Sequence, residues 1–181
     1  MSLPEEVIPI VDMQDSIIGH KASDLLDYDN IYRVSSLAIV DRRGEKLLLA
    51  QRASWKSSPE RWSHSADGTV AQWETYRSNI IKEAHEEIGI DVDDVMLREV
   101  WHRYVDNPWE KNKFRHTLFI VVCEESVIDT LVLEDAVAAV RWWSIGEIQQ
   151  TIQLSPQTFT ESFARNFPQL VQRLDDHRDI F

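Results

Sequence analysis

Residues 74–88 constrain the fold most, because acidic and apolar residues separate there onto two faces of a helix. Glu83, Glu86 and Glu87 lie at i, i+3 and i+4, so a helix projects them from one side. The other side carries an apolar stripe made of Ile80, Ile81, Ala84 and Ile88. Gly89 then supplies a residue that can end a helix in the left-handed conformation. The pattern predicts one long helix that buries its apolar side against a sheet.

Strand-like stretches precede and follow this helix. Alternating or β-branched apolar patterns predict strands over residues 6–12, 32–41, 46–52, 96–105, 114–124 and 136–143. The second and third of these are joined by a short polar turn, which predicts a hairpin. Ser144 is a predicted N-cap for a short helix. Strands and helices interleave without a regular βαβ rhythm, which favours an α/β (α+β) fold with a mixed sheet sandwiched between helices.

Length and composition indicate one domain. The chain has 181 residues, 43% of them apolar, which is enough for a core of its own. No linker-like, repeated or low-complexity stretch divides it. We therefore expect a single domain over residues 1–181, with an N-terminal strand extension and a C-terminal helix from about residue 158. In that helix Phe159, Phe163 and Phe167 share one side.

The charge and the few sequence signals limit the partners. The formal net charge is −12, with 31 acidic and 19 basic residues, and such a surface repels a nucleic-acid backbone. No secretory signal or membrane-spanning apolar run is recognisable. The expectation is a cytoplasmic protein that acts on a small molecule and contacts neither nucleic acid nor membrane. Whether the chain forms a homodimer stays open.

The spacing around the acidic triplet is more specific than the triplet itself. Five residues separate Gly68 from Glu74, and seven more precede the run of residues 82–90. This resembles the Nudix box, which reads Gly, five residues, Glu, seven residues, Arg-Glu, an aliphatic residue, any residue, Glu-Glu, any residue, Gly and an aliphatic residue. The matching positions are Gly68, Glu74, Glu83, Glu86, Glu87, Gly89 and Ile90. The chain therefore resembles the Nudix hydrolases, enzymes that act on phosphoric anhydride bonds.

The resemblance implies roles for the matching residues. Glu83, Glu86 and Glu87 would ligate Mg²⁺ or Mn²⁺, hard cations that prefer oxygen ligands. Glu74 would order the loop and helix through the basic residue at the Arg position of the box, which is Lys82 here. Gly68 would allow the backbone close to a phosphate or metal. The base that deprotonates water is left open among Glu86, Glu87 and, less strongly, Glu134.

A wider resemblance, over residues 47–68, is to isopentenyl diphosphate isomerase, a member of the Nudix superfamily. It is carried by Gln51, Arg52, Lys56, Pro59 and Trp62. It implies that Arg52 and Lys56 contact the substrate diphosphate.

The isomerase chemistry itself is expected to be absent. Asp67 stands at the position of the isomerase's catalytic Cys, Tyr32 aligns with its metal-binding His, and its second acid aligns with residues 114–116, where no acid occurs. Moving a proton at an allylic carbon needs an acid–base pair. The chain is thus predicted to be a hydrolase of the isomerase-related Nudix branch.

The sequence therefore predicts a metal-dependent pyrophosphohydrolase that cleaves a diphosphate linkage in a small molecule. Its substrate would be a nucleoside diphosphate or a nucleoside diphosphate linked to another moiety. The alternative is a catalytically weak Nudix-fold module that binds a nucleotide or a protein. Lys82 and Ala136 favour the alternative, and the intact glutamate triplet opposes it. His64 is a further candidate for substrate contact, on the approach to Gly68.

Overall fold

A computed structural model describes residues 6–108 and 110–176 of the chain. The strands are β1 (Val7–Val11), β2 (Ile17–Ala22), β3 (Ile31–Asp41), β4 (Lys46–Arg52), β5 (Trp62–Ser63), β6 (Ala66–Thr69), β7 (Arg98–Asn107), β8 (Asn112–Cys123) and β9 (Val137–Ser144). The α-helices are α1 (Tyr76–Ile88), α2 (Ile145–Leu154) and α3 (Glu161–Asp176). None of these helices is both long and apolar enough to cross a membrane.

The central sheet is mixed, and its core is the pair β3 and β8. These two strands run parallel, in register from Ile31 opposite Lys113 to Asp41 opposite Cys123. The order across the sheet is β5-β4-β3-β8-β7, with β6 paired to β3 and β9 paired to β4, all antiparallel apart from β3 and β8. Strands β1 and β2 form a separate antiparallel hairpin.

The sheet separates two apolar layers because successive residues of a strand point to opposite sides. On β3, Leu37 and Ile39 pack with the apolar stripe of α1, namely Ile80, Ala84 and Ile88. Ala38 and Val40 point the other way and pack with residues of α2 and α3, including Ile148, Phe163 and Phe167. The predicted α/β (α+β) fold, a mixed sheet sandwiched between helices, is confirmed.

The bounds of α1 differ from the prediction at one end. The helix begins at Tyr76 rather than at residue 74, because Thr75 is its N-cap and forms a reciprocal capping box with Ser78. Glu74 consequently lies before the helix. At the other end Gly89 adopts the left-handed conformation, with φ of 69°, and ends the helix as predicted.

Some elements were not predicted. Strands β5 and β6 are too short to show a periodicity in sequence. Strand β2 lies between the first two predicted strands, in a segment for which no strand was predicted. The C-terminal helix begins at Glu161 rather than at about residue 158, because Pro156–Thr158 forms a 3₁₀ turn first. That residues 1–181 form a single domain stays a prediction.

Candidate active site

A pocket of about 440 Å³ opens where α1, the loop after β4 and the start of α3 approach the central strands. Its lining is divided by chemistry. Carboxylates of α1 and β6 form one wall, and Glu6 and Glu110 also line the pocket. The two basic residues come from the end of β4 and the loop after it, and the aromatic residues come from β3 and β8. Hydroxyl and imidazole groups complete it from β3, β5, β8 and the start of α3.

The acidic wall contains Glu83 and Glu87 from α1 and Asp67 from β6. The backbone N–H of Asp67 donates to Glu87 Oε2 at 3.1 Å, which holds the Glu87 side chain against β6. Burial raises the pKa of Glu87 to about 8, and the nearby charge of Asp67 adds to the rise. Burial also raises the pKa of Glu83, while Lys82 opposes that rise. Burial therefore disfavours the charged form of the carboxyl groups of Glu83 and Glu87 in this wall.

Gly68 makes the close approach of Glu83 to β6 feasible. A Cβ atom at position 68 would collide with the carboxylate end of the Glu83 side chain. Glu83 Oε1 also accepts from Asn79 Nδ2 at 3.3 Å and lies 3.3 Å from Lys82 Nζ. The space that a glycine leaves open is thus filled by the first carboxylate of the triplet.

Glu74 and Lys82 contact each other as the resemblance implied. Lys82 Nζ lies 2.8 Å from Glu74 Oε1. Glu74 Oε2 accepts from the backbone N–H of Ala71 and from Asn79 Nδ2, each at 2.9 Å. The lysine therefore fills the place of the box arginine, and Glu74 ties the loop before α1 to the helix.

Glu86 is placed differently from its two neighbours in the triplet. It is exposed and borders a separate open cleft, which Glu83, Glu87, Lys56 and Glu134 also line. The backbone N–H of Glu134 donates to the carbonyl oxygen of Glu87 at 3.0 Å. The triplet thus spans two cavities, with Glu83 and Glu87 common to both and Glu86 on the outer side.

Within residues 6–108 and 110–176, no three His, Cys, Asp or Glu side chains stand in an arrangement that could hold a metal ion. Glu83 is engaged with Asn79 and Lys82, and Glu87 with Asp67. Coordination by the triplet requires these partners to be exchanged for a cation. The donor set fits a hard divalent cation nevertheless, because it offers several adjacent carboxylate oxygens whose mutual repulsion a cation relieves.

The predicted diphosphate ligands lie in the same pocket as the acidic wall. Arg52 ends β4 and Lys56 follows in the next loop, and both line the pocket with Glu83 and Glu87. Arg52 donates from Nε to the carbonyl oxygen of Ser57 at 2.6 Å and from Nη2 to Ser57 Oγ at 2.9 Å. The arginine therefore holds the loop that carries Lys56 while it borders the pocket.

The positions that align with the isomerase's catalytic groups also surround this pocket. Tyr32 and Phe114 are opposite each other in the β3–β8 register, with ring centroids 6.0 Å apart. Together with Val34 they form an aromatic and apolar wall. His116, further along β8, uses both ring nitrogens internally, with Ser36 Oγ and Trp101 Nε1. No acid–base pair for chemistry at carbon stands at these positions.

His64 lies deeper in the site than its sequence position indicates. It is only 5% exposed, yet it lines both the large pocket and an adjoining cavity of about 20 Å³. Burial lowers its pKa to about 4, so the imidazole is neutral near pH 7. Thr160 and Ser162, at the start of α3, also line the pocket and were not predicted. No local pattern identifies them, because only the packing of α3 on the sheet brings them there.

The geometry agrees with the comparisons to known proteins. The family model of the NUDIX domain matches residues 31–163. A prenyl-diphosphate phosphatase of Methanosarcina mazei is 31% identical, over 85% of this chain and 88% of that protein. An isopentenyl-diphosphate Delta-isomerase of Photobacterium profundum is 25% identical, over 93% of both. A crystal structure of a Deinococcus radiodurans protein superimposes with a TM-score of 0.72 at 18% identity, over 93% of this chain and 99% of that one.

This chain belongs to the NUDIX domain family. The prediction of a Nudix hydrolase, an enzyme that acts on phosphoric anhydride bonds of a diphosphate substrate, is confirmed at this level. The roles of the individual site residues stay predictions.

Proposed function

We propose that this protein is a metal-dependent phosphohydrolase whose substrate is a prenyl diphosphate. The observation that carries the proposal is the composition of one pocket, which Arg52 and Lys56 line together with Glu83 and Glu87. A diphosphate needs cationic ligands on its oxygens, and a cation held by carboxylates is suited to the remaining ones. Both kinds of group lie around a single cavity of adequate size.

The aromatic wall and the curated relative support the prenyl moiety. Tyr32, Val34 and Phe114 give the pocket an apolar side on which a hydrocarbon chain can be buried. The M. mazei relative is named a prenyl-diphosphate phosphatase. A nucleoside diphosphate, expected from the sequence, remains the second candidate, because the same aromatic rings can stack on a base.

In this proposal each side chain has a limited task. Glu83, Glu86 and Glu87 hold the divalent cation, Mg²⁺ or Mn²⁺, and Gly68 leaves room for the Glu83 carboxylate. A bound cation of this kind supplies charge neutralisation for phosphate oxygens and a water molecule of lowered pKa. Glu87, which lines both cavities, is the proposed base that takes a proton from the attacking water. Glu74 keeps the loop and helix in register through Lys82.

The bond that breaks defines the assay. Attack of water oxygen on the terminal phosphorus breaks the bridging P–O bond and yields a prenyl monophosphate and inorganic phosphate. Purified protein with Mg²⁺ or Mn²⁺ is to be mixed with prenyl diphosphates, nucleoside diphosphates and nucleotide sugars in ¹⁸O-labelled water. We expect inorganic phosphate carrying the label and unlabelled prenyl monophosphate, with prenyl diphosphates turned over fastest.

Two results would redirect the proposal. Faster turnover of nucleoside diphosphates would favour the second candidate substrate. Binding without turnover of any compound would favour a catalytically weak binding module, the alternative that Lys82 and Ala136 leave open. The cytoplasmic location, the absence of nucleic-acid and membrane partners, and a homodimer also stay predictions.

A further inference from the structure

One group of residues that line the pocket is neutral. It consists of His64, which follows β5, and of Thr160 and Ser162 at the start of α3. Two hydrogen bonds fix these elements to each other. The backbone N–H of Thr160 donates to the carbonyl oxygen of Trp62 at 2.9 Å, and Thr160 Oγ1 donates to Ser63 Oγ at 3.2 Å. The amino-terminal end of α3 is therefore held beside His64.

His64 is only 5% exposed. Its ring nevertheless has no hydrogen-bond partner among the residues that the structure describes. Its neighbours are rings, with the centroid of Phe163 at 5.2 Å and that of His116 at 6.2 Å. His116 differs in this respect, because Ser36 and Trp101 contact both of its ring nitrogens. A buried imidazole without partners is costly unless a ligand or water supplies them.

His64 borders the part of the site where the carboxylates and the basic residues meet. The adjoining cavity of about 20 Å³ is bordered by His64 together with Arg52, Lys56, Asp67 and Glu87. In the large pocket the same ring is joined by Thr160 and Ser162. The amino-terminal end of a helix carries a partial positive charge and favours an anion. The His64 imidazole, the Ser162 hydroxyl and the helix end capped by Thr160 thus border the cavity that the predicted diphosphate ligands and the carboxylates also line.

We propose that His64 donates a hydrogen bond to a phosphate group of the substrate, in a subsite completed by the start of α3 at Thr160 and Ser162. This inference rests on the proposed function, since it assigns a further ligand to the same diphosphate. The subsite adds specificity without adding charge. Arg52 and Lys56 attract any anion, whereas a buried neutral N–H rewards an acceptor at one position.

The test measures binding rather than turnover. Methylenediphosphonate, a diphosphate that resists hydrolysis, is to be titrated calorimetrically in the presence of Mg²⁺ into wild type, His64→Phe and His64→Gln. His20→Ala changes an exposed histidine of β2 and is the matched control. We expect His64→Phe to bind about five- to tenfold more weakly. His64→Gln, which retains an N–H donor, is expected to recover part of the affinity, and His20→Ala to equal wild type.

A second measurement separates a direct contact from a structural role. In ¹⁵N-histidine spectra, the ring N–H of His64, assigned by its absence in His64→Gln, is expected to shift downfield when methylenediphosphonate is added. Unchanged affinity in a folded His64→Phe, with no shift of the His64 ring signal, would overturn the subsite and leave the proposed function standing. Failure of the wild type to bind methylenediphosphonate would overturn both.

Discussion

Helices α1 and α3 cover opposite faces of the central sheet, and each carries acidic residues away from its apolar stripe. On α1, the Glu83 side chain is 17% exposed and burial raises the pKa of Glu87 to about 8. On α3, Glu161 pairs with Arg165 one turn along, and both side chains are about half exposed. The two helices differ in the surroundings of their polar sides. The polar side of α1 borders a pocket, whereas that of α3 faces solvent along most of its length.

The comparison shows that acidic residues at helical spacing do not by themselves define a site. Glu83 and Glu87 differ from the acids of α3 because they line a pocket together with residues of β6 and of the loop after β4, with Gly68 leaving space for Glu83. On α3, only the first residues approach the pocket, and they bring hydroxyl groups and a helix end instead of carboxylates. In the proposed function, α1 offers ligands for a cation, and the proposed subsite at the start of α3 offers a place for an anion.

The largest effect is expected where the acids of α1 are neutralised. Glu86→Gln with Glu87→Gln keeps the shape of both side chains and removes two of the three proposed metal ligands. Because loss of residues that only support a metal ligand already costs about 10–100-fold, we expect kcat/KM to fall by at least about 100-fold. Calorimetric titration with Mn²⁺ should show the same loss of affinity. Identical Mn²⁺ titrations for the variant and the wild type would refute the metal assignment.

The acidic side was predictable from sequence because its information is local. Glu83, Glu86 and Glu87 share one helix, and Gly68 and Glu74 lie within one loop of it, so fixed spacing identifies them. His64 and Ser162 are far apart along the chain, and they meet only because α3 packs across the sheet and Thr160 bonds to β5. Spacing along the sequence does not predict such a long-range contact. The short strands β5 and β6 were missed for the related reason that pairing, not periodicity, defines them.

An intermediate effect is expected from pH, since burial favours the neutral form on both sides of the pocket. The pKa of His64 is lowered from 6.5 to about 4 by burial; Arg103 lowers it further, and Asp67 opposes the shift. Between these values the unfolded chain binds the additional proton, so the folded state loses stability as pH falls from about 6.5 toward 4. The raised pKa of Glu87 acts in the opposite direction, and it is common to wild type and a His64 variant.

The measurement is therefore the difference between wild type and His64→Gln. Urea unfolding is to be followed at pH 7 and at about pH 4.5. Between these two conditions, we expect the wild type to lose on the order of 2 kcal/mol more than the variant. His116, whose pKa burial also lowers, contributes to the acid sensitivity of both proteins and cancels in the comparison. Equal losses in the two proteins would mean that His64 is protonated as readily in the folded state as in the unfolded chain.

The smallest effect is expected at the far end of α3. Neutralising the carboxylate of Asp176 there is the control for neutralising the glutamates of α1. Asp176 is exposed, and its Oδ1 accepts from Gln172 Nε2 at 3.0 Å. Asp176→Asn keeps that acceptor and removes a negative charge from the carboxyl end of the helix, where the helix dipole is also negative. We expect a gain of only about 0.3 kcal/mol in the free energy of unfolding, reduced further by salt, and no change in kcat/KM or in Mn²⁺ affinity. Urea unfolding at low and high salt, with the Mn²⁺ titration used for α1, checks both parts. A loss of activity comparable to that of the α1 variant would mean that the overall negative charge, and not the enclosure of the α1 glutamates, sustains the site.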